Sequence, residues 1–87
     1  MTDFIITNRF KKDVKNLSND GKKKLSKALE LLGENPDHPS LHIEKITGTY
    51  NIWSIRLSIH LRMTFTKIDS QTLILRRIGT HRVYKKP

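Results

Sequence analysis

From Trp53 to Phe65 the chain alternates in polarity, and that alternation limits the possible folds more than any other feature. Trp53, Ile55 and Leu57 fall on one parity, Ser54, Arg56 and Ser58 on the other. After a break, Leu61, Met63 and Phe65 repeat the apolar parity against Arg62, Thr64 and Thr66. Period-two alternation rich in β-branched and aromatic residues marks a half-buried strand. With Ser58-Ile59-His60 as the hairpin loop, Leu57 falls opposite Leu61, Arg56 beside Arg62, Ile55 beside Met63 and Trp53 beside Phe65. A slip of one residue would turn the whole apolar set towards water, so this register is strongly specified. It also sets two guanidinium groups side by side. Like charges directly opposite each other are destabilising, so the placement points to an anion held between them.

A second turn is expected at Asp69-Ser70, followed by a third long strand over residues 72–79. Leu73, Ile74 and Leu75 make that strand apolar on both parities, which suits an interior position in a sheet. Two- and three-residue turns give opposite parities here, so the sequence leaves open which of Arg76 and Arg77 joins the cationic face.

Upstream, residues 3–6 read as an edge strand. Thr7 or Asn8 can cap a helix over 9–17 through a side-chain oxygen, with Phe10, Val14 and Leu17 on one stripe. A second helix over about 21–32 places Leu25, Ala28, Leu29 and Leu32 on one face, and Lys22, Lys23, Lys24 and Lys27 on the other. Gly33 is a candidate stop, and Pro36 and Pro39 oppose continuation. Residues 41–46 alternate weakly and suit a short strand or an extended arm, with Gly48 turning the chain into the main sheet. The apolar face of the helical hairpin and that of the sheet each need the other. The expected fold is α+β and two-layered: an N-terminal strand, an antiparallel helical hairpin, then an antiparallel β-meander, in the order β-α-α-β-β-β.

Eighty-seven residues are expected to make a single domain. A chain this small buries about 60% of its unfolded surface, so a functional site should be a shallow groove. Without cysteine, neither a disulfide framework nor a thiolate metal site is possible. That absence fits a cytoplasmic setting. No apolar run approaches the ~20 residues of a membrane span, so no membrane partner is expected. Lys and Arg number 17 against 8 Asp and Glu, a formal net charge of +9. A small domain of this charge is a candidate for binding a polyanion.

No two of the histidines at 38, 42, 60 and 81 sit at i, i+4 on an expected helix, as a zinc site would prefer, and there is no Gly-rich phosphate loop or nucleophile elbow. No cofactor is implied. What remains is a basic groove with titratable groups: Glu44, Arg56, Arg62, His81 and Tyr84, with His42, Lys45 and His60 nearby in sequence. Such a set suits metal-free cleavage of RNA. The 2′-hydroxyl can attack its own 3′ phosphate if a base takes its proton and an acid protonates the leaving 5′ oxygen. Cations must also stabilise the phosphorane. Arginine suits the last role because its fork matches phosphate oxygens and stays charged.

Glu44 to Gly48 (E-x-I-x-G), then IWSIRLS, HLRMTF and LRRIGTH followed by V-Y, resemble the RelE/ParE superfamily of toxins from bacterial toxin–antitoxin systems. The resemblance covers nearly the whole chain. It implies a RelE-like fold and, in the RelE, YoeB and YafQ branch, an mRNA endoribonuclease acting in the ribosomal A site. By that resemblance Arg62 is the catalytic arginine, His81 the general acid and Glu44 the carboxylate base. Arg56 contacts phosphate, and Tyr84 orients the RNA. Lys45 is an approximate match to a RelE-type lysine, and Arg77 a further phosphate-binding candidate. Arg82 stands where the YoeB pattern has an aromatic residue. The base is left open among Glu44, His42 and His60. The resemblance also implies an acidic antitoxin, with operator DNA reached through it. Two alternatives stand beside this reading: a ParE-like inhibitor of DNA gyrase, and a nucleic-acid-binding module without catalysis.

Overall fold

The computed structural model describes residues 2–35 and 37–87. Five strands form one sheet: β1 (Asp3–Ile6), β2 (Glu44–Lys45), β3 (Ile52–Arg56), β4 (Arg62–Lys67) and β5 (Thr72–Gly79), in the order β1-β5-β4-β3-β2. β2 to β5 run as an antiparallel meander, and β1 joins β5 in parallel. A parallel return needs a crossover. Helices α1 (Asn8–Lys15) and α2 (Asn19–Glu34) lie within that crossover and pack on one face of the sheet. The fold is the α+β, two-layer arrangement expected, with β1 at the edge and β5 in the interior.

The β3–β4 hairpin adopts the register that polarity imposes: Arg56 opposite Arg62, Ile55 opposite Met63, Trp53 opposite Phe65. The Leu57 N–H donates to Leu61 O at 2.9 Å and closes the loop. Ile55, Met63 and Phe65 are fully buried against Phe10, Leu25, Ala28 and Leu32 from the helices. Trp53 sits at the rim of this core, its indole N–H on Asn51 Oδ1 (3.1 Å) and Lys67 Nζ 4.5 Å from its ring centroid.

A bulge in β5 answers the question of Arg76 and Arg77. Phe65 pairs with Leu75, but Thr64 pairs with Arg77, leaving Arg76 as the extra residue. Leu75 and Ile78, three apart, therefore both face the helices and are buried. Arg76 and Arg77 both leave on the opposite face.

β1 ends its pairing at Ile6 and Leu75, so the outer edge of β5 lacks a strand neighbour beyond that point. Asp13 of α1 takes over there. Its Oδ2 accepts from Ile78 N–H at 3.1 Å and from Arg77 Nε at 2.7 Å. A backbone donor that would otherwise go unpaired is thereby satisfied.

The helices differ from expectation at their ends. Thr7 caps α1, its hydroxyl oxygen accepting from Phe10 N–H. The helix stops at Lys15 rather than 17, because the N–H groups of Asn16 and Leu17 turn back to the carbonyls of Asp13 and Val14 in a tighter turn. Ser18 caps α2, which runs through Gly33 to Glu34. Gly33 does not end the helix, since Asn35 N–H still bonds Leu31 O beyond it. Pro36, the other expected stop, lies outside the described residues. The 41–46 segment yields only the two-residue β2. A 3₁₀ turn (Pro39–Leu41) and the left-handed backbone of His42 (φ 49°) shorten it.

Asp13→Ala is expected to lower the unfolding free energy by about 2–3 kcal/mol, the range for losing a hydrogen bond to a charged group and leaving a largely covered guanidinium unpaired. Urea unfolding at unchanged m-value measures this, and Asp13→Asn should lose less.

Candidate active site

The C-terminal residues return over the sheet face that the helices leave bare. After β5, Thr80 caps a 3₁₀ turn (His81–Tyr84), its hydroxyl oxygen accepting from Arg82 N–H. Val83 is the anchor of this turn. It is 2% exposed and packs close to Gly79, where a Cβ would come within 3.3 Å of Val83 Cγ1. Residues three apart in a 3₁₀ turn eclipse one another, and His81 and Tyr84 do so. Their ring centroids are 4.7 Å apart and their planes 88° apart. The Tyr84 hydroxyl donates to Ser54 Oγ at 3.3 Å, which ties the turn to β3. Further on, Thr64 Oγ1 and Arg76 Nε both donate to the Pro87 backbone oxygen at 3.1 Å.

Between this turn and β2 lies an open groove of about 400 Å³. His42, Glu44, Ser54, Arg56, Arg62, His81 and Tyr84 border it, with Lys45, Ile46 and Thr47 at its β2 end. Glu44 pairs with Ser54, so its side chain leaves on the groove face. Arg62 Nη1 donates to the carbonyls of Ser58 and Leu61, which aims the guanidinium without neutralising it. Among the described residues bordering the groove, Glu44 is the only carboxylate. Among the described residues, no group of three or more His, Cys, Asp or Glu side chains could hold a metal ion.

Arg62, His81, Glu44, Arg56 and Tyr84 thus meet in one groove. Lys45 borders it too, but its ladder partner is Trp53, so its Cβ leaves on the helix-covered face. Arg77 is a correction. It shares the face of the arginine pair, yet Asp13 and Lys86 O hold its guanidinium at the far edge of β5, and it does not border the groove. His60, a possible base, sits exposed in the β3–β4 loop and does not border the groove either, whereas His42 does. Sequence reasoning missed Ser54 and Thr47. Ser54 shared the parity of Arg56, and a small hydroxyl residue between large neighbours was the available signal.

The family model described as "ParE toxin of type II toxin-antitoxin system, parDE" matches residues 4–83. The chain belongs to the ParE toxin family. It is a toxin of the type II toxin–antitoxin class. Three solved structures share the ParE-family fold seen here. The RelB–RelE antitoxin–toxin complex from Methanococcus jannaschii contains a chain 23% identical, covering 95% of this chain and 99% of that one, with a TM-score of 0.76. YafQ from E. coli strain BL21(DE3) is 19% identical over 95% and 97% of the two chains, with a TM-score of 0.77. A metal-bound toxin from Helicobacter pylori is 27% identical over 95% and 98%, with a TM-score of 0.77. No curated protein matches this ParE-family chain.

Chemically, the groove presents two guanidinium groups at one end, an imidazole and a phenol along one wall, and a carboxylate and a second imidazole along the other. Its cations give it the chemistry that suits an anion. Arg56→Ala and Arg62→Ala should each weaken binding of a ribonucleoside monophosphate roughly tenfold or more, as expected for losing a charge-assisted hydrogen bond. Isothermal titration at low salt measures this, and Arg77→Ala should leave that affinity unchanged.

Proposed function

We propose that this toxin is a ribosome-dependent endoribonuclease that cuts mRNA by 2′-hydroxyl attack on the adjacent phosphate, without a metal. One observation carries the reading: Glu44, Arg56, Arg62, His81 and Tyr84, drawn from four separate segments, border a single groove. In the proposed step Glu44 takes the 2′ proton, with His42 as the other base within the groove. The 2′ oxygen bonds to phosphorus, the bond to the 5′ oxygen breaks, and His81 protonates that leaving oxygen. The products are a 2′,3′-cyclic phosphate and a free 5′-hydroxyl. Arg56 and Arg62 stabilise the charge that develops on the phosphorane. Tyr84, packed edge-on to His81, orients the imidazole and the RNA. Because attack needs the 2′-hydroxyl, DNA would be spared.

The partner implied is an acidic antitoxin. The formal charge of +9 supports it, as do relatives solved as the RelB–RelE and DinJ–YafQ complexes. Operator DNA would be reached through that antitoxin, and the site of action would be the cytoplasm. A second reading, a gyrase inhibitor without a nuclease site, is favoured by the ParE description of the matching family.

The deciding experiment is a cell-free translation reaction with primer extension on the message, run beside a gyrase supercoiling assay. Wild-type protein is expected to cut the message, and supercoiling should proceed. Arg62→Ala and His81→Ala should each lower cutting by about 10²–10⁴-fold, the range for one acid–base or electrostatic group, and should relieve growth arrest on expression. An intact message with supercoiling blocked would overturn the nuclease reading in favour of the second.

A further inference from the structure

A second depression, of about 720 Å³, lies on the same sheet face beyond the C-terminal tail, bordered by Tyr50, Thr66, Arg76 and Lys86 among others. Tyr50 is 94% exposed. It stands on the β2–β3 turn, whose backbone is left-handed at Gly48 (φ 80°) and Asn51 (φ 58°). The turn is braced: the Asn51 amide donates to Lys67 O and its oxygen accepts from the Trp53 indole. The braced turn fixes the backbone that carries Tyr50, and the ring's faces are open to solvent for stacking. Thr66 contributes a buried hydroxyl without a hydrogen-bond partner. Such a group calls for a ligand or water. Arg76 donates through Nε to Pro87 O, and no described residue takes its Nη groups.

The register connects the two sites. Arg62, Thr64 and Thr66 alternate onto one face of β4, paired with Arg56, Ser54 and Ile52. At ~3.4 Å per residue, Thr66 lies roughly 14 Å along the strand from Arg62. The tail at Pro87 forms the divide between them. Cationic grooves with aromatic platforms bind single-stranded nucleic acid in a sequence-tolerant way.

We propose that this depression is a second subsite for single-stranded RNA: a base stacks on Tyr50, a backbone phosphate meets Arg76 and Lys86, and the Thr66 hydroxyl hydrogen-bonds the strand. The substrate class rests on the ribonuclease reading. The test separates the two. Fluorescence anisotropy would be measured with two RNAs carrying 2′-O-methyl groups throughout, so neither can be cut. One is long enough only for the groove of Arg56 and Arg62, and the other is several nucleotides longer. Tyr50→Ala should weaken the longer RNA roughly tenfold, within the range for one stacked base, and leave the shorter one unchanged. Thr66→Val should weaken the longer RNA in the same selective way, and Tyr50→Phe should restore binding. Because the ring is exposed, thermal unfolding of Tyr50→Ala should match wild type. Equal affinities for both RNAs across the variants would overturn the subsite. So would a Tyr50→Ala defect seen only in binding an acidic protein partner. A wild type that binds the longer RNA in this Tyr50-dependent way but leaves messages uncut would remove the nuclease reading and retain the subsite.

Discussion

The extra residue in β5 decides what the bare face of the sheet can become. Without it, strict alternation after Leu75 would send Arg76 one way and Arg77 the other, and Ile78 would point away from the helices. With it, Leu75 and Ile78 both enter the core and both arginines come out together. The two then hold the returning tail, Arg76 through Pro87 O and Arg77 through Lys86 O. A bulge thus converts one strand's register error into a docking site for the segment that carries His81 and Tyr84. Bulges commonly re-aim side chains next to functional sites, and here the re-aimed side chains anchor the tail while others line the groove.

That division extends across the molecule. The helix-covered face is dry and close-packed, with Phe65, Ile55, Met63, Leu75 and Leu32 fully buried. The other face carries hydroxyls and cations and is covered only by a short turn. Val83 supplies the apolar grip for that turn, while Tyr84 on Ser54 and Thr64 on Pro87 supply its direction. The packed core lies on one side and the candidate site on the other, joined by a single layer of backbone.

The elements legible in the sequence were those with strong periodicity. The β3–β4 hairpin could be read to the individual pair, because only one register kept Trp53, Ile55, Met63 and Phe65 together. The interior position of β5 followed from its apolar residues on both parities. Helix ends were harder. Gly33 looks like a stop, but the next turn still closes through Asn35, and neither propensity nor capping rules express that. The bulge was beyond pattern reading: it requires comparing β5 with β4, and two adjacent arginines give no local sign of which is surplus. The groove residues Arg56, Arg62, Glu44, His81 and Tyr84 were named from local motifs, and their meeting in one place depends on the tail's return. Arg77 went astray because its partner, Asp13, is 64 residues away in the chain.

The contrast between Arg77 and Arg62 shows how one strand pair yields both a scaffold and a receptor. Arg77 meets a carboxylate, so its charge is balanced within the fold. Arg62 meets only the carbonyls of Ser58 and Leu61. A carbonyl dipole orients a guanidinium but leaves its net charge intact, so Arg62 and its cross-strand neighbour Arg56 still repel each other. The fold tolerates that repulsion because the apolar register on the opposite face of the hairpin outweighs it: each buried large side chain contributes about 1.5–3 kcal/mol, against about 1 kcal/mol or less for a cross-strand like-charge pair. The unspent charge is then available to whatever anion enters between them.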